Sequence, residues 1–369
     1  MTKILTPEKI IRYAETRLFG DNVRPHNVKV IELHNGVLPS SLEEMLNQRC
    51  GGFQRVLQEN SREPIYFRDG RLFIPQYSGF GRRKRYESMI KAYLQVIGED
   101  IGFKSCELEG DERKTNIEYD NLAYDFVVGL FVPEEKYKDR QAFSSDIEEI
   151  TKIIFGPVES LEKQAKVIEK GNSEYLDAQI VEINGKQVLN IGYVYSDQAG
   201  IIIDKMLREY DAVAKKRGKK LDINIFMFGR LGGLDYDMKR HDLIIPTGII
   251  DEIDLKRNRR LIYPMNNVFA VPQDIEWLNL NVSNVIDETR EDLLKAKEFG
   301  CVCVEMETRE SVESVNRARR RYHGSLDINF GFVGYVSDLP LKNDTLADEL
   351  DSDNGEQEAV SMIIERVSS

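Results

Sequence analysis

The chain has 369 residues, 41% of them hydrophobic and 31% charged, a globular composition that excludes a fully disordered or collagen-like chain; at roughly 150 residues per domain the length points to about two domains. Sixty-three acidic against 51 basic side chains leave a net charge of −12, which repels nucleic acid over most of the surface and makes it an unlikely partner. No run approaches eighteen apolar residues and the start, Met1-Thr-Lys-Ile-Leu-Thr-Pro-Glu8, has no signal-peptide core, so a cytoplasmic protein without membrane association is expected.

The first region, residues 1–123, reads as α+β. Thr6-Pro7-Glu8 is a helix start, with Thr as cap, Pro at the first helical position and Gly20 as the stop. Ser41-Leu-Glu-Glu44 repeats the signal as a capping box. Ile65-Tyr-Phe67 and Leu72-Phe-Ile74 flank Arg68-Asp69-Gly70 as a hairpin. A helix over about 84–97 follows, with Tyr86, Met89, Ile90, Tyr93, Leu94 and Ile97 on one stripe, and 107–116 reads as a loop.

Over residues 124–369 apolar strands alternate with helices, the signature of a mostly parallel or mixed central sheet flanked by helices. Phe126–Val132 reads as a buried strand, and Ser145–Phe155 and Glu159–Glu169 as helical. Ala178–Ile183, Asn184-Gly185 and Val188–Tyr195 form a second hairpin before a helix over about 199–216. Further strands are expected at 223–228, 243–246, 302–304 and 328–336. The acidic tract 344–358 lacks a buried face and reads as a surface loop or disordered, with a last short helix over about 358–367. Cys50, Cys106, Cys301 and Cys303 are too few for a stapled scaffold and read as reduced core thiols. With no second Cys pair and four scattered histidines, neither a metal nor any other cofactor is implied.

Three segments stand where apolar strands end: Phe228-Gly-Arg-Leu-Gly-Gly-Leu-Asp235, Val304-Glu-Met-Glu-Thr308 and Gly334-Tyr-Val-Ser-Asp-Leu-Pro340. Open α/β sheets bind ligands outside the carboxyl ends of their strands, so all three are expected to face one crevice. Together they resemble the nucleoside phosphorylase and nucleosidase superfamily, whose members carry a strand ending in Gly-Gly-Leu, a Met-Glu pair opening a helix and a late Ser-Asp. The resemblance covers about residues 175–369, and the Val336-Ser-Asp-Leu-Pro-Leu341 run is most similar to the AMP nucleosidase branch.

The resemblance implies hydrolysis of an N-glycosidic bond in a purine nucleotide or nucleoside, AMP favoured, releasing free base and ribose or its 5-phosphate. The departing purine needs a proton and the oxocarbenium-like ribose needs partners for its hydroxyls. Asp338 is implied as the acid, Glu307 as acceptor for the 2′- and 3′-hydroxyls and Met306 as the floor under the sugar. Glu305 and Ser337 stand beside them as substrate contacts, and Gly232 and Gly233 let backbone approach the substrate. Singly, each has an ordinary alternative: a turn cap, a first-turn helix acid, core filler, a loop.

Phosphorylases of the superfamily usually carry an Arg two residues before the first glycine and a Ser or Thr after it. Here those positions are Met227 and Arg230. Hydrolysis is therefore expected over the alternative of a phosphate-dependent phosphorylase, a catalytically inactive nucleotide sensor being the other alternative. Arg230 suits a 5′-phosphate, or else an ion pair with Asp235 or Asp237. Arg309 narrows the base pocket or pairs with Glu305. The water-activating Glu that such nucleosidases carry after their domain's first strand maps to Glu134 or Glu135, if that strand is 126–132. In Ser78-Gly-Phe-Gly-Arg-Arg-Lys-Arg85, the cations Arg82, Arg83 and Arg85 are candidates for phosphate at a helix start. By resemblance the chain is expected to form a homo-oligomer, a dimer or a trimer of dimers.

Overall fold

A computed structural model describes residues 4–20, 22–35, 54–56, 65–76, 80–98, 101–107, 149–171, 177–192, 196–270, 277–285, 288–345, 348 and 354–369. Helix α1 (Pro7–Leu18) starts where the cap signal places it: the Thr6 hydroxyl accepts from the Lys9 amide at 3.4 Å, and Ile10, Tyr13, Ala14 and Leu18 are buried. The first sheet runs in the order β2-β3-β4-β1-β5, from β1 (Val30–Asn35), β2 (Gln54–Arg55), β3 (Tyr66–Arg68), β4 (Arg71–Gln76) and β5 (Gly102–Glu107). β3 and β4 form the expected hairpin, its turn made by Asp69 and Gly70 at φ 48° and 80°, the left-handed pair such a turn requires. β1 pairs parallel with both β4 and β5. Neither β1 nor β5 was expected, and Glu107 ends a strand rather than opening a loop. Helix α2 (Phe80–Ile97) begins four residues before its expected start. Its Tyr86, Met89, Ile90 and Tyr93 join α1, Ile31, Leu33, Leu72 and Ile74 in one core.

Among the described residues the second sheet has eleven strands, in the order β13-β12-β14-β15-β10-β6-β9-β8-β7, with β16 pairing β10 and β11. They are β6 (Lys152–Phe155), β7 (Lys166–Lys170), β8 (Ala178–Ile183), β9 (Lys186–Ile191), β10 (Leu221–Gly233), β11 (Leu243–Ile244), β12 (Gly248–Asp251), β13 (Ile262–Pro264), β14 (Leu278–Asn281), β15 (Cys301–Glu305) and β16 (Leu326–Asp338). The helices are α3 (Val158–Glu162), α4 (Ser196–Arg217), α5 (Glu252–Lys256), α6 (Arg290–Glu298), α7 (Thr308–Tyr322) and α8 (Asn354–Ser368). Along β10 and β16, alternate side chains serve opposite faces. Met227, Leu231, Phe332 and Val336 meet α4 and α7, while Phe226, Phe228, Val333 and Tyr335 meet α8 and Leu161 of α3. This two-faced cover is why the strand sequences are near-continuously apolar. Cys301 and Cys303 are buried free thiols in this sheet, pushed up from the usual thiol range by burial.

Several expectations are corrected. Lys152–Phe155 is an inner parallel strand between β10 and β9, not the end of a helix. A short run with Ile153, Ile154 and Phe155 all buried has no amphipathic period to distinguish the two. The helix expected over 159–169 stops at Glu162, and Lys166–Lys170 pairs antiparallel with β8 as an edge strand. Strands β12 to β14 and helices α5 and α6 were not foreseen. The acidic tract is not a solvated loop where it is described: Thr345 and Glu356 are buried, Asp344 pairs with Arg240 and Asp348 with Lys9, and α8 starts at Asn354. Ser41–Glu44, Cys50, Phe126–Val132, Glu134, Glu135 and the boundary near residue 124 lie outside the described residues. No described helix is long and apolar enough to cross a membrane.

Candidate active site

The site is assembled by the end of β10. This strand runs parallel to β16 from Leu221↔Leu326 to Leu231↔Val336, then skips Ser337, so that Gly232 lies opposite Asp338. There it also pairs antiparallel with β15, Gly232↔Val304 and Gly233↔Cys303. Gly232 therefore has Asp338 as one neighbour and Val304 as the other, and two interstrand spacings put those backbones roughly 10 Å apart. Glu305, Met306 and Glu307 follow directly. The three sequence segments meet at one end of the sheet, with the two carboxylates of the expected mechanism on the same side of the molecule.

The glycines are needed for this junction by the packing around them. A Cβ on Gly232 would stand 2.9 Å from Val304 Cγ1 and 3.4 Å from Pro340 Cδ, and one on Gly233 3.0 Å from Leu339 Cδ2 and 3.2 Å from Met238 Sδ. Glycine here lets β15 and the 339–340 turn close onto β10.

Asp338 is 5% exposed. Burial pushes its carboxyl up to about 7; the Ser337 hydroxyl, donating to its Oδ1 at 2.8 Å, and Arg240 oppose the rise, while Asp344 and Asp348 add to it. Ser337 also donates to the Leu231 carbonyl at 3.3 Å, so its described hydrogen bonds lock the bulge and the acid. Arg240 is held by Asp344 through a two-pronged pair, with Nε at 2.8 Å. A carboxyl balanced near neutrality at a buried strand end can hold a proton and release it.

Glu305 is 6% exposed, and its described bonds point into the protein. Its carboxylate accepts from Asn279 Nδ2 at 2.5 Å, from the Thr308 hydroxyl at 2.6 Å, from the Thr308 amide at 2.9 Å and from the Glu307 amide. Burial, then the neighbouring Glu307 charge, raise it to about 7 against these donors. Glu305 thus ties the start of α7 to β14 and sets the turn on which Met306 and Glu307, both half-buried, stand. The pairing of Arg309 with Glu305 is corrected: Arg309 binds Asp251 at the end of β12 and Glu313 at 3.2 Å, and lies over the Tyr263 ring at 5.1 Å.

Arg230 donates from Nε to the Tyr335 hydroxyl at 3.1 Å. Tyr335 in turn donates to Glu356, which also takes the Ser160 hydroxyl. Asp235, one expected ion-pair partner of Arg230, is 3.0 Å from Lys297. Met227 is 6% exposed, within the core against α4 and α7. Arg82, Arg83 and Arg85 fall within the first turns of α2. The first strand of the large sheet among the described residues is β6, and the acids following it are Glu159, exposed, and Glu162, which pairs with Lys170 at 2.7 Å.

One buried acid was not singled out from the sequence. Glu288, 8% exposed, precedes the Thr289 cap of α6. Burial, then the charges of Asp338 and Glu252, raise its carboxyl well above the usual range. In sequence it reads only as part of a helix start, Glu-Thr-Arg-Glu.

No protein-family model and no curated protein matches the chain. Among solved structures it is similar to 5′-methylthioadenosine/S-adenosylhomocysteine nucleosidase from Neisseria meningitidis, at 16% identity over 59% of this chain and 99% of that one, with a TM-score of 0.40. It is similar to futalosine hydrolase of Helicobacter pylori at 12% identity, over 59% and 97% of the two chains, TM-score 0.42. It is also similar to uridine phosphorylase from Schistosoma mansoni at 11% identity, over 61% and 90%, TM-score 0.42. The chain is similar to these nucleosidases and phosphorylases at low identity, and the chemistry of its site rests on its own side chains.

Proposed function

We propose that this chain hydrolyses the N-glycosidic bond of a purine nucleotide or nucleoside, AMP being the leading substrate. The observation that carries the reading is the junction at Gly232, which sets a buried Asp338, balanced near pH 7, across the sheet from the Met306-Glu307 turn. In this reading Asp338 protonates the purine as the bond to C1′ lengthens, and the bonding pair leaves with the base. Glu307 accepts hydrogen bonds from the ribose hydroxyls as positive charge develops on the ring, an electrostatic contribution that grows toward the transition state. Met306 supports the sugar. Glu305 acts through others: by capping α7 it positions Glu307, and we assign it no substrate contact. Water supplies the hydroxyl that ends on C1′, and its other proton leaves to solvent, from which the Asp338 carboxylate is reprotonated. The core position of Met227 supports hydrolysis over phosphorolysis, since no cation stands where a phosphorylase carries its Arg.

The test is incubation of purified protein with a panel of purine nucleotides and nucleosides, with and without inorganic phosphate, and identification of the released base by chromatography. Base release independent of phosphate is expected. Release only with phosphate would replace the hydrolase with a phosphorylase, and tight nucleotide binding without release would replace it with a sensor.

A further inference from the structure

Asp338 ends β16, and the chain turns immediately after it. Leu339 and Asp344 close that turn with reciprocal amide-to-carbonyl bonds at 2.9 Å and 3.3 Å, around the short helical stretch Pro340–Lys342. Leu339 and Pro340 pack against Gly233 and Gly232 of the junction, so the turn, the junction and the acid move as one piece. Side chains from separate parts of the chain grip this turn. Arg240 binds Asp344, with Nε at 2.8 Å, and Arg290 of α6 donates to the Leu341 carbonyl at 3.0 Å. A further grip comes from the N-terminal region. Lys9 of α1 donates from Nζ to the Asn343 carbonyl and to Asp348 Oδ2, each at 2.5 Å. Asp348 also accepts from the Thr345 amide at 2.9 Å and from the Thr345 hydroxyl at 3.2 Å, so one ammonium ties the turn to the segment that follows it. Just before α1, the Ile4 amide donates to the Glu288 carbonyl at 3.3 Å, and Ile4 packs on the apolar cluster that contains Leu341 and Val304.

Resting on the glycosidase reading, we propose that Lys9 is a positioning residue of that site, fixing the 339–345 turn from the N-terminal region so that Asp338 meets the departing base. The Lys9 and Asp348 side chains are 21% and 31% exposed, and an ion pair this open adds little to global stability. Its weight falls on local order instead. A turn that carries a buried acid has to hold it in line with the bond being broken, and a misplacement of about 1 Å costs about a hundredfold in rate. The N-terminal α+β region then takes part in catalysis through a side chain that touches no substrate.

The experiment measures kcat and KM for wild type, Lys9→Met and Lys9→Arg on the purine nucleotide or nucleoside that wild type turns over fastest, with thermal melting and with hydrogen exchange of the Leu339 and Asp344 amides. Met keeps the aliphatic stem and loses the cation, whereas Arg keeps the cation. The Met variant is expected to lose about ten- to a hundredfold in kcat with KM within about threefold of wild type. Its two turn amides should exchange faster, and its melting temperature should stay within about 3 °C of wild type. Arg should restore kcat to within about threefold. A Met variant with wild-type kcat, or with a change confined to KM, overturns the proposal and leaves the glycosidase reading standing. The same holds for unchanged amide exchange, for a kcat that Arg does not restore, and for a loss of kcat accompanied by a larger fall in melting temperature, which marks Lys9 as a stability residue only. A wild type that releases no base from any substrate overturns the glycosidase reading and this role with it.

Discussion

Replacing Asp338 by Asn should separate stability from activity, because the burial that suits this carboxyl to hold a proton also makes its ionised form costly. The unfolded chain ionises it near pH 4 and the fold near 7. At about 1.4 kcal/mol per pH unit, its proton contributes about 4 kcal/mol of stability, fully present below about pH 4, falling as pH rises and gone above about 7. The sign follows from the folded state binding the proton more tightly than the unfolded one. Asn is neutral throughout and its Oδ1 can still accept from Ser337, so the variant should not show this loss. Urea unfolding at pH 5 and pH 8 measures it: wild type should lose stability from this group over that interval, Asp338→Asn should lose about 2–3 kcal/mol less, and at pH 8 the variant should be the more stable protein. Turnover should meanwhile fall by roughly two to four powers of ten, as for loss of a general acid. Equal pH slopes for the two proteins would refute the buried, proton-holding carboxyl; near-wild-type turnover would remove Asp338 from the acid role.

Glu305→Ala strips four described donors of one buried acceptor, and urea unfolding should show a loss of about 2–4 kcal/mol. A loss within error would mean that the α7 start is held otherwise. Gly232→Ala forces a methyl against Val304 and Pro340; about 1–3 kcal/mol of overpacking is expected in a denaturant melt, with a fall in turnover as the two strand ends are pried apart. Glu307→Gln, at a half-buried position, should leave the melting temperature nearly unchanged and lower kcat/KM about a hundredfold, the scale of one preorganised electrostatic contact. An unchanged kcat/KM would place the ribose partner elsewhere.

Local turn and cap chemistry was legible because it is decided within a few residues. Thr6-Pro7 starts α1, and Asp69-Gly70 and Asn184-Gly185 turn their hairpins, the second with φ 49° and 76°. The strand ends bearing Gly232-Gly233, Met306-Glu307 and Ser337-Asp338 were recognisable as a set from their apolar approach runs. What failed was whatever depended on neighbours. Lys152–Phe155 becomes a strand only because β10 and β9 supply its hydrogen bonds, and Arg309 turns to Asp251 because β14, paired with β12 on one side and β15 on the other, brings the end of β12 near the start of α7.

By itself, then, the sequence determined the alternation of strands and helices, the tight turns and the identity of the acids at the strand ends, all set by side-chain pattern over short distances. Only the tertiary structure decided the bulge at Ser337 that puts Asp338 opposite Gly232, the inward commitment of Glu305 and the burial of Glu288. Register and desolvation arise between segments far apart in the chain, and no local pattern carries either one.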